Sequence, residues 1–165
     1  MTLHTTIKSQ YHAALSMLLD AVESCPEGTW AGEQYVNTSW QIAYHTLYFA
    51  HLYLHQSEAD FVPWEHHRRG HQRLGAQADP ARAVRPYTVE EIRAYGSFCQ
   101  GLVDAAVDRL DLAAPECGFP WYRMSKREHQ FVSLRHIQHH TGQLADRVRQ
   151  TANVGLRWIG GVSEP

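Results

Sequence analysis

The sequence is most informative in the stretch SKREHQFVSLRHIQHHTGQLADRVRQT, residues 125–151. Ser125 and Glu128 stand in a capping-box pattern, in which two side chains satisfy backbone donors at the start of a helix. The apolar residues that follow recur at helical spacing, and they are Val132, Ile137, Leu144 and Val148. The stretch therefore predicts one long amphipathic helix that ends near Thr151.

Two histidines lie together on this predicted helix. At about 100° per residue, His140 lies about 40° from His136 and Gln143 about 20° to the other side. Both histidines fall at the edge of the buried stripe, where two imidazoles are costly unless a partner satisfies them. A metal ion would satisfy both rings. Gly142 follows His140 directly, and we expect it to let another helix approach closely.

Three further helices are predicted outward from this stretch. They run from about Thr5 to Glu23, from about Thr38 to Gln56, and from a second capping box at Thr88 to a point before Pro115. A long irregular connection, from about Ser57 to Tyr87, separates the second helix from the third. No run of alternating strand pattern occurs. We therefore predict an all-α four-helix bundle that forms a single domain over residues 1–165, with a Gly-rich tail over 153–165.

Composition excludes several classes of protein. Lys and Arg total 15 against 17 for Asp and Glu, and the net charge of −2 disfavours a nucleic-acid-binding protein. No apolar run approaches the roughly 20 residues that a membrane helix needs. The N-terminal residues show no secretory signal pattern, and the three cysteines form no CxxC pair. We therefore expect a cytoplasmic protein with free thiols.

We expect His45 to be the third partner for the histidine pair. It lies at the centre of the apolar stripe of the second helix, where a lone histidine is more often a hydrogen-bonded core residue. Facing His136 and His140, it becomes a better candidate for a metal ligand. Three imidazoles suit Zn²⁺ or Ni²⁺, and also Fe²⁺, Cu²⁺ or Mn²⁺. Three protein ligands with one open position are typical of catalytic zinc, and Gln143 is either an ordinary polar neighbour or a residue that holds a ligand or bound water.

Other histidine pairs fit a metal site less well. His51 and His55 lie away from the centre of their helical stripe, which favours a flanking role. His67 and His71 enclose Gly70 in the irregular connection, where a helix is disfavoured. The sequence also lacks the HExxH motif of zincins and the Glu-x-x-His pairs of ferritin-type di-iron bundles.

The histidine motifs resemble those of a known family. Leu134-Arg135-His136-Ile137-Gln138-His139-His140-Thr141-Gly142-Gln143-Leu144 resembles the last-helix motif of the DinB-like superfamily, and Trp40-Gln41-Ile42-Ala43-Tyr44-His45 resembles its second-helix segment. The resemblance implies an up-up-down-down four-helix bundle, often a homodimer, with a divalent metal on three histidines. Carried over by position, those ligands are His45, His136 and His140. His139, which this sequence places beside His140, is an alternative partner.

The resemblance also implies a range of activities. Members of the family include metal-dependent hydrolases and S-transferases or isomerases that use a low-molecular-weight thiol. Others are linked to DNA-damage induction without a known reaction. We accordingly expect a metal-dependent enzyme, a hydrolase or thiol S-transferase, that acts on a small molecule.

Two other functions are compatible with the sequence. The first is a non-catalytic metal-binding or stress-response protein, which the surplus histidines His66, His67 and His71 would suit. The second is a helical interaction module without metal, whose histidines are satisfied by hydrogen bonds.

Overall fold

The computed structural model describes residues 2–32, 34–75 and 85–162 of the chain. Over those ranges it contains five α-helices and one short 3-10 helix, at Glu58–Asp60, and no strand. The α-helices are α1 (Leu3–Glu23), α2 (Glu27–Trp30), α3 (Ser39–Tyr53), α4 (Val89–Arg109) and α5 (Lys126–Ala152). The prediction of an all-α protein with four long helices is confirmed.

Capping residues define the start of the last two long helices. The Thr88 hydroxyl accepts a hydrogen bond from the backbone N–H of Glu91, and the Glu91 carboxylate accepts one from the backbone N–H of Thr88. At α5, Ser125 Oγ accepts from the backbone N–H of Glu128 at 3.2 Å. These bonds satisfy donors that the first turn of a helix leaves unpaired, so both helices begin where the sequence predicts.

The direction of each helix follows from its side-chain contacts. Ion pairs join α1 and α4 in opposite order, as Lys8–Asp108, His12–Asp104 and Glu23–Arg93. Contacts between α1 and α5 instead advance together, because Tyr11 donates to Gln130 and Gln138 reaches Met17 further along both helices. Thus α4 runs antiparallel to α1, and α5 runs parallel to it.

The second long helix, α3, runs antiparallel to α5. The Gln130 amide near the start of α5 donates to the Tyr53 carbonyl at the end of α3, and Arg147 near the end of α5 reaches Ser39 at the start of α3. The four long helices therefore run up, down, down and up. The bundle is as predicted, but the predicted up-up-down-down order was wrong.

Connection length explains this order. The segments 24–38 and 110–125 are short, so each joins helices whose adjoining ends lie at the same end of the bundle. The connection over residues 54–88 is much longer, and it returns the chain along the bundle so that α3 and α4 run parallel.

The two ends of this long connection belong to the core. Trp64 stacks on Tyr95 of α4 with ring centroids 4.5 Å apart, and Tyr87 stacks on Tyr44 of α3 at 4.4 Å. The Trp30 indole of α2 donates to the Tyr87 carbonyl at 2.8 Å. The connection is thus packed against the helices close to the point where His45 projects from α3.

The segment after α5 lies against α1. Asn153 ends α5 in the left-handed conformation, with φ of 55°. The Gln10 amide then donates to the Gly160 carbonyl, and the Val162 N–H donates to Ser9 Oγ. The described part of the predicted tail therefore has no regular structure but is held along α1.

Two further observations concern the helices. Gly142 is exposed, and a Cβ added there would meet no atom within 4 Å, so the expected close approach of another helix at Gly142 was wrong. Across the described residues, none of the helices combines the length and the apolar character that crossing a bilayer would require.

Candidate metal centre

Three histidines meet where α3 crosses the middle of α5. His45 projects from α3, while His136 and His140 project from consecutive turns of α5. Their ring centroids lie 4.6–5.0 Å apart, and one nitrogen of each ring lies within 4.8 Å of the others. The antiparallel packing of the two helices therefore brings together the three residues that the sequence singled out, from positions 91 residues apart in the chain.

His45 is oriented by the long connection. Its Nδ1 lies 2.6 Å from the backbone carbonyl oxygen of Gln72. A carbonyl can only accept, so Nδ1 carries the proton and Nε2 presents its lone pair to the other two histidines. This is the arrangement in which a protein carbonyl fixes the tautomer of a metal-binding histidine.

His140 is oriented in the same way from its own helix. The Gln143 side-chain oxygen, one turn later, accepts from His140 Nδ1 at 2.7 Å. His140 Nε2 is consequently left as the nitrogen with a free lone pair. The structure thus places Gln143 beside one of the three histidines rather than at a distance from them.

His136 completes the group. Its Nε2 lies 3.0 Å from His45 Nε2, and its Nδ1 is buried without a hydrogen-bond partner among the described residues. The ring of Phe49 lies 4.7 Å from the His45 ring and 5.6 Å from the His136 ring, so one wall of the group is apolar. Burying a ring nitrogen without a hydrogen-bond partner is unfavourable.

Burial keeps the three rings neutral. It lowers the pKa of His45 to about 4 and that of His136 to about 3, with the neighbouring histidines adding to the effect. Burial also lowers the pKa of His140, against the opposing effect of its bond to Gln143. Neutral imidazole is the form that binds a transition metal, so no ring has to lose the second proton of an imidazolium before an ion binds near pH 7.

The donor set fits a divalent transition metal. Two nitrogens bound to one tetrahedral zinc lie about 3.3 Å apart, since Zn–N bonds are about 2.0–2.1 Å. The separations here, from 3.0 Å to at most 4.8 Å, bracket that value. Within the described ranges the group contains three histidines and no fourth side-chain ligand, so a tetrahedral ion held by them would keep one position for water or substrate.

The alternative histidines lie outside this group. His139 is exposed and contacts only the edge of the His140 ring, so it does not replace a member of the group. His67 Nδ1 lies 2.6 Å from the Tyr44 hydroxyl, and His51 Nδ1 lies 3.1 Å from the Tyr95 hydroxyl. His55 bonds back to the His51 carbonyl. Over residues 2–32, 34–75 and 85–162, no second cluster of metal-binding side chains accompanies the three histidines.

One contributor had no recognisable signature in the sequence. The Gln72 carbonyl that orients His45 comes from the backbone, and every residue type offers the same atom. Its position depends on how the connection packs, which in turn depends on contacts such as the one between Tyr87 and Tyr44.

Comparison with known proteins agrees with this geometry. The sequence profile of the DinB superfamily matches residues 10–144, a range that extends from α1 to the turn of α5 holding Gln143 and includes all three histidines. No curated protein and no solved structure gives a significant match. The match covers most of the chain, and the helical bundle with its three histidines is consistent with it. The chain therefore belongs to the DinB superfamily.

Proposed function

We propose that the protein is a metal-dependent enzyme that binds one divalent transition metal through His45, His136 and His140. The observation that carries this proposal is the matched orientation of two rings. Both His45 and His140 donate from Nδ1 to an oxygen, which aims Nε2 of each toward the group. Hydrogen bonds that fix the tautomer and orientation of a histidine in this way are typical of metal ligands, whereas packing in an apolar core does not require them. Zn²⁺ and Ni²⁺ are the first candidates, followed by Fe²⁺, Cu²⁺ and Mn²⁺.

The metal would lower the pKa of a bound water or thiol and act as a Lewis acid. The residues of the chain would hold and orient it: three Nε2 atoms as ligands, with Gln72 and Gln143 fixing two of the rings. Phe49 would keep one side of the ion dry, which strengthens electrostatic interactions there.

The absence of a carboxylate from the group bears on the reaction. Hydrolysis through a bound water is helped by a general base, and the histidine group includes no Asp or Glu among the described residues. A thiol held by the metal would have a lowered pKa and would lose its proton to water, so its sulfur could act as the nucleophile without a protein base. We therefore place S-transfer from a low-molecular-weight thiol ahead of hydrolysis, with a small molecule as the acceptor.

The cellular setting forms part of the same proposal. We propose a cytoplasmic protein that acts as a homodimer and does not bind nucleic acid. The free thiols of Cys25, Cys99 and Cys117 and the near-neutral charge support this setting.

The test is the metal content of untagged protein after incubation with Zn²⁺ or Ni²⁺. We expect about one ion per chain in the wild type, loss of that ion in His136→Ala, and retention in the matched control His139→Ala. Protein that takes up no ion would contradict the proposal. An ion that binds without any thiol-transfer or ester-hydrolysis activity would instead support non-catalytic metal binding.

A further inference from the structure

A second bridge between α3 and α5 lies beside the metal centre. Near the end of α5, Arg147 Nη1 donates to Ser39 Oγ at 3.3 Å, at the start of α3. Arg147 is seven residues beyond His140, or about 10 Å along the helix axis, and Ser39 is six residues before His45, or about 9 Å. The two helices therefore place this bridge at similar axial distances from His140 and from His45.

Arg147 also lies on the same face of α5 as the metal centre. At about 100° per residue, it is about 20° from His136, and it stands one turn beyond Gln143. The Gln143 side chain, which contacts His140, is exposed to solvent. The exposed Gln143 thus lies between His140 and Arg147 along one side of α5.

The guanidinium of Arg147 makes few polar contacts with the described part of the protein. Among the described residues, no carboxylate lies within ion-pair distance of it, although the half-buried cations Lys8 and Arg68 and the exposed Arg93 all have one. Its planar group instead lies over the Tyr35 ring, 3.9 Å from the centroid, and makes the single bond to Ser39. Ser39 Oγ in turn donates to the Thr29 carbonyl, so its hydroxyl proton is already used.

This environment suits an arginine that receives an external anion. A guanidinium has five N–H donors in a fork that matches a carboxylate, and the described part of the chain uses one of them, for the bond to Ser39. Stacking on Tyr35 holds the plane of the fork still, so little side-chain entropy remains to be lost on binding. A partly buried cation without an anion is unfavourable, and a bound carboxylate would relieve that cost.

We propose that Arg147 binds the carboxylate of a small-molecule substrate or thiol whose other end reaches the metal. The inference rests on the proposed function, and it narrows the substrate class to molecules that carry an anionic group several bonds away from the reacting atom. Arg147 is then a specificity-determining residue, and Tyr35 and Ser39 position it.

The test uses two thiols that differ only at the far end, 6-mercaptohexanoate and 6-mercaptohexanol. Each is titrated into cobalt-substituted protein, and the cobalt–thiolate absorption band gives a dissociation constant. We expect wild type to bind the carboxylate at least about tenfold more tightly than the alcohol. In Arg147→Met this preference should vanish while the affinity for the alcohol stays unchanged. Arg149→Met, an exposed control on the same helix, should keep the preference.

A second measurement separates this inference from the metal site. Metal-free protein is titrated with hexanoate while the Arg side-chain Nε–H signals are followed by NMR, with Arg147→Met identifying the relevant signal. A saturable shift of the Arg147 signal would support the anion site even if cobalt does not bind. No shift there, or an equal preference for the two thiols in wild type and Arg147→Met, would overturn the inference.

Discussion

Individual hydrogen bonds to imidazole nitrogens are the finest level at which the site can be tested. His140 Nδ1 has one partner, the side-chain oxygen of Gln143, and that bond sets which nitrogen faces the other two histidines. Removing the acceptor would free the ring to rotate or change tautomer while leaving all three ligands in place. Gln143 should therefore affect the affinity for metal without abolishing binding.

For Gln143→Leu we expect metal affinity to fall by about 10- to 100-fold, the usual effect of losing such a partner. Competition with a chromogenic chelator measures the change. Gln150→Leu, an exposed substitution later in α5, is the matched control and should bind metal like wild type. Unchanged affinity in Gln143→Leu would show that packing alone orients His140.

At this scale the sequence was informative where a side chain carries the chemistry. The spacing of His136 and His140 and the stripe position of His45 were enough to select the three residues that meet. The backbone carbonyl of Gln72 left no trace in the sequence. The role we infer for Arg147 depends on its having no carboxylate partner in the described part of the chain, which only the folded structure reveals.

At the scale of helices, Lys126 links the start of α5 to the end of α3. The residue is fully buried, and its ammonium donates to the carbonyls of His55, Gln56 and Cys117. The first two carbonyls belong to residues just after α3, where backbone acceptors lose their helical partners. Lys126 thus satisfies acceptors on one helix end from the first turn of another.

We expect Lys126→Met to lower the free energy of unfolding by about 3 kcal/mol, because three buried carbonyls lose their donor. Urea denaturation at pH 7 measures the loss. The neighbouring Arg127 is exposed, so Arg127→Met should stay within about 0.5 kcal/mol of wild type. A similarly small effect of Lys126→Met would mean that water replaces the ammonium.

Helix boundaries were predictable where capping residues mark them, as at Thr88 and Ser125. The short helix Glu27–Trp30 was not predicted, because Pro26 and Gly28 suggested only the end of α1. The directions of the helices were also missed. They depend on which connections are long enough to return along the bundle, and a family resemblance supplied the wrong order.

At the scale of the whole molecule, buried histidines link stability to pH. Burial lowers the pKa of His45, His51 and His129 to about 4 and that of His136 to about 3, against an ordinary value of 6.5. Between pH 6.5 and 4 the unfolded chain therefore binds protons at these positions and the folded chain does not. The unfolded state gains stability as protons bind, so folding stability must fall as pH falls through this window.

We expect the unfolding free energy of metal-free protein to decrease steeply from pH 6.5 to pH 4. The slope against pH should correspond to the uptake of more than one proton on unfolding. Urea titrations at a series of pH values measure that slope.

His129 is enclosed by Tyr53, Phe119 and Tyr122, and neither of its ring nitrogens has a hydrogen-bond partner among the described residues. His129→Phe should fold with a loss of no more than about 1.5 kcal/mol at pH 7 and show a shallower slope. An identical slope in the variant would contradict this account.

The crossing of α3 and α5 has a consequence for the order in which the protein acquires its ion. His136 and His140 lie on α5, which follows α3 by more than 70 residues in the chain, so the complete ligand set cannot exist until α5 has been synthesised and has docked against α3. His45 alone, on a nascent chain, offers a metal one imidazole. Folding of the bundle should therefore come first and metal capture second, so the cell has to supply the ion to a domain that has already folded.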